Sequence, residues 1–467
     1  MVWTYSQQFG TQIFSFVVSI ILARLLLPEE FGLIGMLAIF MGVGTALFEG
    51  GMTSSLIRIK EVNDDDFSTV FIFNLIVSVL VYALLFIAAP YIADFYHQST
   101  LKLITRLYGL TFIFSAFGAV QNTILTRNLN FKKQTLIALP ALLISSIVGV
   151  ILAFQNYGVY SLVFSALVNA FLTSLFLTVS SEWKMKLDFD KAKFNLHFNY
   201  GYKMTLSSIL DTVFINIYQI IIGRYYSANL VGLYSRSNQL LMLPVGNVSG
   251  ALNKVIFPLF SKVQDDIPRF RSLYKRIMLL VLFIVTPIVV LMGVLAQPLI
   301  VFLFTDKWIE AVPIFQIICF TGVLYPIHMY NLVVLQVMGR SDLFLKLEII
   351  KKVVLAVIIF ISFFYGFYAL LWGQLIASVI ALFINTHYAG KMLSYTMWQQ
   401  MNDLLPIFLS ALIIGIACYG IDNMLSNYDD IVRLIITGCF GITLYLLTAF
   451  IFKFQSIQDI KNLILKK

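Results

Sequence analysis

The stretch ILARLLLPEEFGLIG, residues 21–35, places an arginine, a proline and two adjacent glutamates between two long apolar runs. Two hundred residues on, IGRYYSANLVGLYS, residues 222–235, repeats its frame. Arg24 is followed eight residues later by Gly32-Leu33, and Arg224 eight residues later by Gly232-Leu233. The runs before them match in kind at the same offset: Gln8 with Ser208, Gln12 with Thr212, Ser19 with Gln219. Proline cannot continue a helix, and glycine permits a tight reversal. The stretch therefore reads as the connection between the first two helices of a repeated unit.

The apolar runs on either side decide the class. Of 467 residues, 60% are hydrophobic and 12% charged, with a mean hydropathy of +0.90. A soluble chain carries about a quarter charged residues. Apolar runs of about 18 residues or more recur from end to end, each long enough to cross a ~30 Å hydrocarbon core as a helix. Backbone amides in lipid must be satisfied internally, and the period-2 alternation of a membrane barrel is absent. The chain is predicted to be an all-α polytopic membrane protein. About fourteen spans are expected, at 3–27, 31–52, 68–90, 104–126, 135–154, 158–179, 204–224, 233–260, 277–304, 312–335, 345–365, 367–388, 403–420 and 431–452. The first run is too long for a signal peptide and lacks a small-residue cleavage site, so it is expected to stay as a helix.

Lys and Arg set the orientation. With a cytoplasmic N-terminus, most of the 32 basic residues fall in the inner loops and the C-terminal tail. The outer side holds only Arg24, Lys102, Arg106, Arg224, Arg236, Lys307 and Arg433, and Lys254 lies inside a span. Both termini are thus expected in the cytoplasm. The net charge of +9 is mostly topology and points to no nucleic acid. Cys319, Cys418 and Cys439 each lie alone in an apolar span and read as core residues. His97, His197, His328 and His387 have no ligand spacing, and there is no Walker loop, HExxH or GxSxG elbow. No cofactor, metal site or built-in ATPase is expected, and the chain does not read as an enzyme.

Two further echoes extend the repeat. YGVYSL (157–162) returns as YGFYAL (365–370), and RNLNFKK (127–133) returns more weakly as RSDLFLK (340–346). Helices 1–6 and 7–12 are therefore read as a parallel repeat about an axis along the membrane normal. The expected division is 1–195, 196–390, and 391–467 for two extra helices and a tail.

Polar residues inside the spans mark candidate sites. Gln8, Gln12, Ser15 and Ser19 form one stripe on the first helix. Ser208, Thr212, Asn216 and Gln219 form another on the seventh, with Asp211 at its edge. Such groups find no partner in lipid, so they face another helix or a cavity. The pairing of stripes on equivalent helices favours a cavity. Glu49, Asp211 and Lys254 are the deepest ionisable residues, and Arg236 begins the eighth span. Burying such a charge costs about 2.5–3.5 kcal/mol, which makes each a functional candidate. Glu49 and Lys254 lie near the inner ends, where pairing with a loop charge is the plainer reading. Asp211 is the better candidate for a titrating coupling group. Arg24 and Arg224 either snorkel to the interface or bind an anion.

Five segments carry a resemblance: ILARLLLPEEFGL (21–33), FNYGYKMTLSSIL (198–210), IFPLFSKVQDD (256–266), DKWIEAVPIFQI (306–317) and MGRSD (338–342). In this order the chain resembles the polysaccharide transporter family, within the superfamily that also holds multidrug extruders and lipid II flippases. It is most similar to the colanic- and teichuronic-acid exporter branch. The resemblance implies two six-helix bundles that open a central cavity to each side in turn. The implied substrate is an oligosaccharide on undecaprenyl pyrophosphate, with a polymerase and other export machinery as partners. It also implies cationic cavity residues for the pyrophosphate, a role that falls on Arg24, Arg224, Arg236 and Lys254. The polar surface of Gln8, Gln12, Thr212 and Asn216 would then face the sugar, and Asp211 and Glu49 would serve coupling. Relatives usually carry a short basic lead before a start such as MVWTYSQQFG. Two rivals stand beside this reading: a cation-coupled drug extruder, which would want acidic cavity residues, and a membrane-embedded polymerase or ligase, which would need an outer catalytic platform.

Overall fold

The computed structural model describes residues 2–49 and 51–457, apart from the side chains of residues 2–9 and 251–255. Its regular structure is helical throughout: 17 α-helices and one 3-10 turn among the described residues. They gather into two compact units, Met1–Ser235 and Arg236–Lys467.

The first unit contains α1 (Val2–Leu25), α2 (Pro28–Glu49), a short α3 (Met52–Arg58), α4 (Asp64–Tyr96), α5 (Thr100–Arg127), α6 (Phe131–Phe154), α7 (Val159–Ser180), α8 (Lys191–Ile215) and α9 (Ile217–Tyr225). Next, α10 (Ala228–Ser261) begins in this unit and runs into the other. The second unit continues with α11 (Ile267–Val294), α12 (Ala296–Phe304), α13 (Ala311–Val337), α14 (Ser341–Phe363), α15 (Phe367–Leu393), α16 (Met397–Met424) and α17 (Asp430–Ile451).

Local chemistry sets these limits. Pro28 opens α2, where its missing N–H costs nothing, and Glu29 and Glu30 complement the positive end of the helix. Asn63 and Asp66 close a capping box at the start of α4, and Thr396 with Gln399 does the same for α16. Asp190 caps α8 by accepting from the amides of Ala192 and Lys193.

The units pack alike. α4 packs on α5, α5 on α7 and α6 on α7; in the second unit α11 packs on α13, α13 on α15 and α14 on α15. α16 and α17 lie against α11 and α12. The tight turns seen in sequence also correspond: Gly158 before α7 and Gly366 before α15 both have positive φ, 56° and 94°. The weaker echo needs a change of register. Arg127 ends α5, whereas Arg340 caps α14, so the structural counterpart of Arg340 is Asn130. The positive-φ residues just before them, Leu129 and Gly339, agree with that alignment. In the second of these loops Arg340 grips Asp342 at 2.9 and 2.8 Å, and that hydrogen bonding holds the carboxyl down at about 2.

Solvent preference is inverted relative to a water-soluble fold. Leu84, Ile87, Phe360, Ile413 and Phe450 point outward, while Asn74, Gln121, Asn331 and Thr386 are buried. An apolar solvent explains this, because it welcomes apolar side chains and offers a polar group on the outer face no partner.

Among the described residues ten helices are long and apolar enough to cross a membrane, or eleven if α8 and α9, bent by 48°, count as one span. Of the fourteen expected from sequence, α1 enters this count only as Gly10–Leu25 and α10 not as a whole, because the side chains of residues 2–9 and 251–255 lie outside the described residues. α14 carries Lys346, Glu348, Lys351 and Lys352, which lower its hydropathy.

Candidate functional site

The repeated stretch becomes a reciprocal crossing of two helices. A Cβ on Gly32 would lie 1.7 Å from the carbonyl oxygen of Ala228, and one on Gly232 would lie 1.8 Å from that of Pro28. Residues 28 and 32 therefore meet 228 and 232, each pair offset by the sequence repeat of 200. One turn further, Gly35 faces the side chains of Val231 and Ser235. Only glycine lets the start of α2 and the start of α10 approach this closely.

The two arginines end the helices that lead into this crossing. Arg224 closes α9 four residues before Ala228. Its guanidinium donates to the carbonyl of Phe95 at the end of α4, meets His97 Nε2 at 2.6 Å, and sits 5.0 Å from the Phe95 ring centre. A cation there satisfies an orphan carbonyl and the negative end of α4. Arg24 closes α1 four residues before Pro28 and is exposed. Glu30 accepts from the Leu27 amide at 2.7 Å and lies beside Gly158, so it stiffens the reversal between α1 and α2.

The seventh-helix stripe falls at a break. Asn216 ends α8 and begins α9, where the chain bends by 48°. Its amide donates to Thr212 O (2.8 Å), and the Thr212 hydroxyl donates to Ser208 O (2.7 Å). The methyl of Thr212 rests on Gly42 of α2. Gln219 donates to Ser235 at 3.1 Å, which is the interhelical role rather than the cavity role for that member. Asp211 is exposed beside this segment, and Glu49 is exposed at the end of α2. On α1, Gln12 is half-buried, and that helix packs on α6 while α8 packs on α2, α3 and α4. Arg236, in the second unit, donates to Gln239 at 2.6 Å. The side chains of Gln8 and Lys254 lie outside the described residues.

Several polar clusters escaped the sequence reading. His197 of α8 is fully buried, with Nδ1 2.9 Å from Ser55 of α3 and Nε2 3.1 Å from Asp66 of α4. The other Asp66 oxygen accepts from Lys193 and from the Asn63 amide, both at 3.0 Å. Arg127 donates to the carbonyls of Leu56, Ile59 and Lys60 at the end of α3. In the second unit Arg433 grips Asp422 through two bonds of 3.0 and 2.7 Å, tying α17 to α16. These partners come together only in the fold: His197 meets residues 142 and 131 positions away, and Arg127 residues about 70 away.

A chain of membrane-length helices with apolar outer faces and buried polar clusters is a polytopic α-helical membrane protein. It belongs to the family described as "Polysaccharide biosynthesis protein", which matches residues 21–313. It is 23% identical to the teichuronic acid biosynthesis protein TuaB of Bacillus subtilis (strain 168), over 81% of this chain and 79% of that protein. It is 22% identical to the lipopolysaccharide biosynthesis protein WzxC of Escherichia coli (strain K12), over 71% and 68%. Among solved structures, the lipid II flippase MurJ in an inward closed conformation shares the fold with a TM-score of 0.79 at 17% identity, covering 97% of this chain and 99% of that one. An inward-facing multidrug resistance MATE transporter shares it less fully, with a TM-score of 0.65 at 18% identity over 82% and 94%.

Proposed function

We propose that this protein is a flippase that moves an undecaprenyl-pyrophosphate-linked oligosaccharide from the cytoplasmic to the outer leaflet of a bacterial inner membrane by alternating access. Its membership of a polysaccharide biosynthesis family carries the reading, because more than half of the chain is helix long and apolar enough to cross a membrane. Such a protein acts on a glycan intermediate that is itself anchored in the membrane. The reciprocal Gly32–Gly232 crossing supports a duplicated bundle in which related helices meet about a pseudo-twofold axis. That is the arrangement a rocking motion needs. The termini lie in the cytoplasm, where the basic loops favour them.

In this reading the pyrophosphate meets Lys254 near the inner end of its path and Arg24, Arg224 and Arg236 near the outer end, one cation after another, arginine supplying planar bidentate donors. Gln8, Gln12, Thr212 and Asn216 line the path of the sugar. The break at Asn216 supplies the hinge, since α8 and α9 already meet there at an angle. Asp211 couples transport to an ion, with Glu49 as the second carboxylate. A polymerase receives the flipped product.

Deleting the gene tests the proposal. Lipid-linked oligosaccharide is expected to accumulate on the cytoplasmic face, and wild-type protein to restore export. Asp211→Glu should restore it too, while Asp211→Asn, at equal abundance in the membrane, should not. Unchanged surface glycan in the deletion strain rejects the function, and full export by Asp211→Asn removes the coupling role alone.

A further inference from the structure

Two adjoining cavities open at one end of the second unit and share Lys275 in their walls. The first, about 750 Å³, is lined by Arg271, Ser272 and Ser394. The second, about 550 Å³, lies between α11, α16 and α17, with Lys275, Asp403 and Lys453 near the helix ends and Leu279, Ile413 and Phe452 along its wall. Ile413 and Phe452 are mostly exposed, so this channel opens onto the face that the bilayer covers.

The cations here are held in place. Lys275 lies 2.7 Å from Asp403, which also accepts from the Tyr395 hydroxyl. Arg271 donates to Ser394 O at 2.8 Å and stacks over Tyr395, 5.0 Å from the ring centre. Among the described lining residues Asp403 is the one carboxylate, against Arg271, Lys275 and Lys453. A guanidinium has five donors and an ammonium three, so donors remain for an anion after these contacts. The result is an excess of positive charge at the mouth of an apolar channel.

We propose that these cavities bind one anionic membrane phospholipid, its phosphate between Arg271 and Lys275, with Lys453 at the same rim, and an acyl chain along Leu279, Ile413 and Phe452. Charge complementarity selects the head group, since basic pockets between membrane helices suit anionic lipid heads. The aliphatic channel admits the chain, for which water would be a poor occupant. A bound lipid would brace α16 and α17 against α11. The orientation proposed above sets only the leaflet, which is the inner one; the binding itself does not depend on the flippase reading.

The test uses the purified full-length protein in neutral detergent, with equimolar phosphatidylglycerol and phosphatidylcholine, read by native mass spectrometry and thermal unfolding. The wild type is expected to retain phosphatidylglycerol several-fold over phosphatidylcholine and to gain thermal stability from it. Arg271→Gln should lose both effects. Lys453→Gln, at an exposed rim where folding is not at stake, should weaken retention several-fold, whereas Lys102→Gln should change nothing. Equal retention of the two lipids by the wild type overturns the proposal, as does wild-type retention by Lys453→Gln. Displacement of phosphatidylglycerol by undecaprenyl pyrophosphate at equal concentration would give the pocket to the carrier lipid instead, and would equally overturn it.

Discussion

Arg24 and Arg224 hold equivalent places in sequence, yet their surroundings differ. Arg224 is engaged by the Phe95 carbonyl, the Phe95 ring and His97. Arg24 lies exposed at the end of α1, next to a reversal stiffened by Glu30. Lysine would keep the charge at both sites but lose the planar fork and the stacking. Arg224→Lys is therefore expected to lower stability by about 1 kcal/mol, the scale of a lost hydrogen bond, and to reduce glycan export. Arg24→Lys is expected to reduce export at unchanged membrane abundance, and the double variant to be worse than either. Export assays with parallel thermal unfolding check this; wild-type export by the double variant would reduce both arginines to anchors. The sequence singled out these residues because a cation next to a repeated turn is a local signal. His197, Asp66 and Lys193 were invisible for the opposite reason. Each is unremarkable in its own segment, and only the packing of α8 on α3 and α4 makes a buried cluster of them.

Elements were legible wherever their limits are written in turn chemistry. Gly158 and Gly366 sit at helix starts as the sequence suggested, whereas Pro28, read as part of the connection before a span at 31–52, itself opens α2. The break at Asn216 was not legible, because Asn216 falls in register with the polar stripe of one continuous helix, and the division of the expected 277–304 span into α11 and α12 was not, because it lies inside an apolar run. The register of the RSDLFLK echo failed because matching arginines outweighed helix-cap positions. The contact between α2 and α10 yields the sharpest test at this scale. Gly32→Ala and Gly232→Ala each force a methyl group into a backbone carbonyl, whereas Gly246 and Gly250, on the same α10, have open space around them. Overpacking of this kind costs roughly 1–3 kcal/mol. The first two substitutions are expected to push the helix starts apart and cut export several-fold, and Gly246→Ala and Gly250→Ala to leave it near wild type. Equal export by all four variants would show that the close approach is not used in the transport cycle.

At the scale of the whole molecule, the class of protein followed from hydropathy alone, and the family from five short segments; both stand. The sidedness rests on basic loops and is open to direct labelling. Cysteines replacing Tyr157 and Tyr365, both well exposed in their turns, are expected to react with an impermeant maleimide in intact cells. Cysteines at Lys191 and Arg269 should react only after permeabilisation, and outside labelling at Lys191 would reverse the orientation. Translocation itself is measured most directly in proteoliposomes carrying a fluorescent undecaprenyl-pyrophosphate oligosaccharide, with a membrane-impermeant quencher added outside. In protein-free vesicles about half of the signal should stay protected. With this protein, in the presence of an ion gradient where one is needed, the protected fraction is expected to exchange much faster, and Gly32→Ala to slow that exchange. Protection that persists at the protein-free rate, with the folded protein present in the membrane, would contradict the assignment as a flippase.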